Sequence, residues 1–307
     1  MALLLLVALL FLAVLAGSVR LPGLALVEVL GSKLVCLAGL DAGDCLSSSV
    51  EAPLVAAYGD EMAADVSSNV PRIEYETGMR AVPVDFRSCR ADPCSLGPER
   101  GEVDRSDAGE PVTLFVHAID CRAPAPGDGV DCSGERAGHV YLQYWAYYPG
   151  SQSLKGLPGN PGFHQDDWES FQVKLGGGET LARASSHHGY NYSAGAASWL
   201  SDAGITHGPG WGASEGRYYV SGGSHAGHAH EGSPGPTGIV FGGRASTAAL
   251  VARLRRAARA DERFSPGSAI QLIPIEPIAE DGHRWRFAIS APWRKRVYRD
   301  PEYEGTD

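Results

Sequence analysis

The sequence has no Cys-x-x-Cys pair and no His-Glu-x-x-His stretch. Those absences set aside the cysteine-built zinc site and the helical zinc-hydrolase site. No internal repeat is visible, which sets aside repeat architectures. Basic residues are scarce. With 26 Lys and Arg against 36 Asp and Glu, the formal net charge is -10, which argues against a general nucleic-acid binder.

What is present is an ordinary globular composition. The 307 residues are 44% hydrophobic and 20% charged, enough for a sizeable core. The chain has 39 Gly and 20 Pro, and its apolar runs are short. Dense turn residues between short runs predict an all-β chain with a few helices.

Residues 2–16, "ALLLLVALLFLAVLA", carry no charge. The run is long for the apolar part of a signal peptide and slightly short for a span of about 20 residues. Ala16 and Gly17 are small enough for a signal peptidase to cut nearby. Residues 1–20 are therefore read as a signal peptide or membrane anchor. A juxtamembrane segment, 21–50, and a single extracytoplasmic domain, 51–307, follow. Both readings place the domain outside the cytoplasm, membrane-anchored or secreted. Six cysteines agree with an oxidising compartment. Local pairing, Cys36 with Cys45, Cys89 with Cys94 and Cys121 with Cys132, is one of several connectivities. It would close short loops rich in Gly, Pro or Asp.

Along the chain, 52–65 has helical character and 70–85 reads as extended. Residues 112–119, "VTLFVHAI", predict a strand. In "HVYLQYWAYYP", 139–149, aromatics fall on both faces, so this strand is expected to be central and covered on both sides. "DWESFQVKL", 167–175, alternates: Asp167, Glu169, Phe171, Val173 and Leu175 share one face, Trp168, Ser170, Gln172 and Lys174 the other. Residues 216–235 predict a strand running into a Gly- and His-rich loop. The stretch 246–264 predicts a helix with Leu250, Val251, Leu254 and Ala258 as its apolar stripe and solvated arginines around it. "AIQLIPIEPI" and "RWRFAIS" read as closing strands, the latter with Trp285, Phe287 and Ile289 on one side.

The parity of 167–175 raises a chemical problem. Two carboxylates sit on the apolar face, where unpaired ionised groups are costly. A divalent cation, arginine partners or a shared proton would each resolve it.

"FHQDDWESFQV" resembles the His-x-x-Asp-Trp-Glu heart of the necrosis-inducing (Nep1-like) cytolysins and of the related group of vacuolar protein sorting-associated protein 62. "YLQYWAYYP" precedes it, and "SSHHGY" and "YYVSGGSHAGH" follow it, in the family's order. The resemblance covers roughly 112–230. It implies a mainly β fold, a β-sandwich with a few peripheral helices, carrying a divalent cation at one end. By position, His164, Asp167 and Glu169 would be the metal ligands, directly or through water. Asp166, His187, His188, Ser224, His225 and His228 would be site neighbours, with His225 the best placed because it lies in the "GSHA" segment. The cytolysins have a further Asp where this chain reads Gly150 and Ser151, and a second His where it reads Asp166. Both departures place the chain nearer the sorting-associated branch and weaken toxin activity as an expectation.

Oxygen ligands with one imidazole suit Ca²⁺, Mg²⁺ or Mn²⁺, and Zn²⁺ can also take such a set. An arginine-neutralised cluster is the competing account. Three functions follow. The first is a non-enzymatic module recognising a lipid head group or glycan at a membrane or envelope surface, tied to the membrane through its N-terminal segment. The second is a metal-dependent hydrolase with Asp166 or His225 as base. The third is a secreted membrane-lytic effector.

Overall fold

The computed structural model describes residues 44–76, 78–123, 129–152, 163–186, 189–191, 211–220, 225, 227–229 and 260–303. The chain divides into two compact units, Met1–Ala52 and Pro53–Asp307. Only residues 44–52 of the first are described. The hydrophobic N-terminal run, Cys36, His187, His188 and Ser224 lie outside the described residues. Among those that are described, no helix is long and apolar enough to cross a membrane.

Among the described residues the α-helices are few: α1 (Asp44–Ser68), α2 (Asp92–Ser95), α3 (Glu276–Glu280) and α4 (Arg296–Arg299). Helix α1 bends where Gly59 leaves helical geometry at φ 76°, a value glycine adopts without steric cost.

The second unit is mainly β. Its strands are β1 (Arg72–Glu76), β2 (Gly101–Glu102), β3 (Thr113–Asp120), β4 (Val140–Gln152), β5 (Phe163–Gly176), β6 (Glu179–Ser186), β7 (Gly189–Asn191), β8 (Gly212–Ala213), β9 (Arg217–Val220), β10 (Gly227–His228), β11 (Ala260–Ser265) and β12 (Gln271–Pro274). They form two mixed sheets. One runs β10-β9-β1-β11-β2; the other runs β12-β3-β4-β5-β6-β7, with β8 on β6. The rings of Phe171 on β5 and Tyr218 on β9 meet at 5.6 Å, joining the sheets as a β-sandwich.

Strands β4 and β5 form the centre of the larger sheet. Their antiparallel ladder sets Tyr144 opposite Phe171, Ala146 opposite Glu169 and Tyr148 opposite Asp167. Directly opposed residues share a face, so Asp167, Glu169 and Phe171 project with Tyr144 and Tyr148 into the sandwich. Trp168 projects to the other face, where its ring meets Phe86, Phe115, Tyr147, Phe287 and Trp293. Residues 140–148 are all buried, as a doubly covered strand requires.

The outer face is closed by the end of the chain. Gln143 Nε2 donates to the Val297 carbonyl at 2.7 Å. The buried carboxylate of Glu302 accepts from Lys174 Nζ, Tyr141 Oη and Trp211 Nε1. Buried side chains are thus tied to a segment with little secondary structure of its own.

Two expectations are corrected. Residues 260–264, read as the end of a helix, belong to strand β11, which pairs antiparallel with β1 and parallel with β2. Arg263 is not solvated: it is fully buried, with its guanidinium 4.6 Å from the centre of the Tyr75 ring and a hydrogen bond to the Pro98 carbonyl. Sheet pairing and this cation–π contact override the local helical pattern. The remainder of that proposed helix lies outside the described residues. Residues 285–290 form no strand. Trp285 and Phe287 still both pack on Phe86, but the Ala288 amide donates to the Asp166 carboxylate at 2.9 Å rather than to a neighbouring strand.

Disulfides join Cys89 to Cys94 and Cys121 to Cys132. Two such bridges fit an oxidising compartment. Cys45 lies within α1, and its expected partner Cys36 is outside the described residues.

Candidate functional site

The inward face of β5 carries Asp167 and Glu169, each 1% exposed. Asp167 is the better defined. Its Oδ2 accepts from His225 Nδ1 at 2.9 Å, and the His225 ring stacks on Tyr148 with centroids 4.2 Å apart. Its Oδ1 is buried with no hydrogen-bond partner among the described residues, and His164 Nε2 stands 4.0 Å from it. His164 Nδ1 lies 3.2 Å from the Gln165 carbonyl. A carbonyl only accepts, so that contact places a proton on Nδ1 and leaves Nε2 as the nitrogen facing Asp167.

Two tyrosines complete the interior. Tyr148 and Tyr218 are fully buried, and neither hydroxyl has a hydrogen-bond partner among the described residues. Burial first, and then the neighbouring phenols and the charges of Asp167 and Glu169, push both phenols well above their ordinary range. Both stay protonated and able to donate. Ser151, across the ladder from His164, has a buried hydroxyl that also lacks a partner among the described residues. Such buried atoms, unpartnered among the described residues, each cost about 1–3 kcal/mol, so their grouping around one strand end makes it the candidate site.

Backbone geometry points to the same place. Among the described residues, only two non-glycine residues have positive φ: Asp166 at 59° and His225 at 55°. One precedes Asp167 and the other hydrogen-bonds to it. Strained non-glycine backbone of this kind concentrates at ligand sites.

The other sequence-predicted residues divide. Asp166 does not share the inward face. Its carboxylate is engaged by Arg90 at 2.7 Å, by Tyr147 Oη at 2.7 Å and by the Ala288 amide at 2.9 Å. Arg90 therefore pairs with Asp166. His228 is buried on β10, and burial pushes its imidazole down to about 4, so it is neutral at physiological pH. Trp145 and Trp211 donate to Gln143 and Glu302 on the outer face. Residues that sequence reasoning missed are Arg90, Tyr148, Tyr218 and the hydroxyl of Ser151. Only Ser151 carried a signal, as the position aligned with the family's further Asp.

Whether a divalent cation fits can be judged from the donors. Two ligands each about 2.0–2.6 Å from one ion lie a few ångströms apart, and His164 Nε2 and Asp167 Oδ1 meet that condition at 4.0 Å. Among the described residues no group of three or more His, Cys, Asp or Glu side chains converges as a ligand set. The fit is thus a two-donor one, with further coordination left to water or ligand oxygen.

No protein-family profile matches the chain, and no curated protein does. Among solved structures, the Nep1-like protein NLPPya in complex with glucosamine is similar at 14% identity, covering 78% of this chain and 87% of that chain with a TM-score of 0.34. That likeness is too distant to bear on the site.

Proposed function

We propose that this chain is an extracytoplasmic β-sandwich binding module that holds a divalent cation at the His164–Asp167 end of β5 and through it engages a polar ligand. The ligand class is a lipid head group or glycan at a membrane or envelope surface, and residues 1–20 tether or export the domain. One observation carries the reading. A carboxylate that is 1% exposed has one oxygen bound to His225 and the other without a hydrogen-bond partner among the described residues, facing an imidazole nitrogen 4.0 Å away.

His164 and Asp167 would be direct ligands. The cation would supply the charge that compensates Asp167 and, when bound, a Lewis-acidic point for ligand oxygens. His225 orients the Asp167 carboxylate, as hydrogen-bonding partners of metal ligands do. Tyr148 and Tyr218 keep their protons and supply donors on the inward side. Glu169, on the same face, adds a second acidic residue to the interior.

The test is binding of Ca²⁺ and Mn²⁺ to the full chain by isothermal titration calorimetry, followed by glycan and liposome binding with and without metal. The reading expects metal binding that Asp167→Asn abolishes and ligand capture that chelation reverses. Metal-dependent turnover of ester or phosphoester substrates would replace it with the hydrolase reading, and dye release from liposomes with the lytic one.

A further inference from the structure

In an unbroken β-strand, residues 164 and 167 point to opposite faces, because successive side chains alternate. In β5 they converge, with His164 Nε2 at 4.0 Å from Asp167 Oδ1. The ladder register does not slip: Tyr148 faces Asp167, Gly150 faces Gln165 and Ser151 faces His164. The alternation breaks at the residue between them, where Asp166 adopts φ 59°. Asp tolerates this left-handed conformation better than most residues, but the position is still strained.

The Asp166 carboxylate is anchored from three sides. Its side chain is 6% exposed, and its three donors come from separate parts of the chain: Tyr147 from β4, the Ala288 amide from the C-terminal segment, and Arg90. Arg90 sits inside the ring closed by Cys89 and Cys94. Its guanidinium also donates to the Arg286 carbonyl at 2.9 Å and lies 5.1 Å from the centre of the Phe287 ring.

We infer that Arg90, presented by the Cys89–Cys94 ring, and Asp166 are positioning residues for the His164–Asp167 pair. Neither touches the proposed ion. They act by fixing the left-handed turn that swings His164 onto the inward side of β5. The inference rests on the cation-binding reading for its functional consequence, but the convergence of the two side chains is a property of the metal-free protein.

The experiment compares the full chain with Arg90→Gln, Asp166→Asn, the charge-keeping Arg90→Lys and a control, Arg87→Gln. Arg87 pairs with Asp85 in the same region. Each is read twice: by Mn²⁺ affinity, and without metal by the His164 ring resonances in a long-range ¹H–¹⁵N spectrum. Asp166→Asn keeps a residue that accepts positive φ, so it serves if Arg90→Gln folds poorly. Expected are a loss of Mn²⁺ affinity of about tenfold or more, the usual cost of removing an outer support of a metal ligand, and displaced His164 resonances in Arg90→Gln and Asp166→Asn. Arg90→Lys should recover part of both, and Arg87→Gln should change neither. Mn²⁺ binding within twofold of the parent together with unmoved His164 resonances overturns the inference while leaving the cation reading intact. If the parent itself binds no Mn²⁺, the cation reading fails and the resonances alone decide: unmoved in both variants, they overturn the positioning role.

Discussion

His225 Nδ1 donates to Asp167 Oδ2 at 2.9 Å across 58 residues of sequence. The contact joins the end of β5 to the segment that leads into β10, and the same imidazole stacks on Tyr148 of β4. One histidine thus orients the carboxylate and fastens a loop residue over the sandwich interior.

Replacing His225 with Ala should destabilise the fold by about 2 kcal/mol, the size of a hydrogen bond to a charged group. Urea denaturation measures it. His225→Asn should recover part of the loss, since Asn accepts positive φ and can donate to the carboxylate.

Gly227→Ala tests the packing behind the acidic face. A Cβ at Gly227 would lie 2.3 Å from the Tyr218 ring and 2.7 Å from its hydroxyl oxygen. Tyr218 is fully buried and packed on Phe171, so the ring has little room to yield. Overpacking of this kind costs about 1–3 kcal/mol. A lowered midpoint in thermal denaturation is the expected result.

The buried imidazole of His228 makes a pH prediction. Its pKa is pushed from 6.5 down to about 4 by burial. Unfolded, it takes up a proton near pH 6.5; folded, only near 4. The stabilisation is therefore complete above pH 6.5 and lost as pH falls through 4. At about 1.4 kcal/mol per unit, the contribution is on the order of 3 kcal/mol. His228→Asn should flatten the stability profile between pH 6.5 and 4, read from denaturation midpoints across that range.

Much of the larger sheet was legible in the sequence. Strict alternation over 167–175 put Asp167 and Glu169 on the face with Phe171 because strand parity is a local property, and the all-round aromatics of 140–148 announced burial on both sides. What was not legible depends on contacts far apart in the chain. Arg90 reaches Asp166 across 76 residues, and no local pattern encodes that. Arg263 looked like part of a solvated helical face until its pairing with Tyr75 and Pro98 made it core. Tyr148 and Tyr218 gave no signal, since a sequence shows a ring but not whether its hydroxyl finds a partner. Trp285 and Phe287 alternate like a strand, yet their segment's amide is claimed by a carboxylate.

Calorimetric titration of the full chain with Mn²⁺, beside Asp167→Asn, tests the central claim most directly. The account predicts saturable binding at one site in the parent and none in the variant, because the amide removes the charge facing His164. Equal binding by both proteins, or none by the parent, would contradict it.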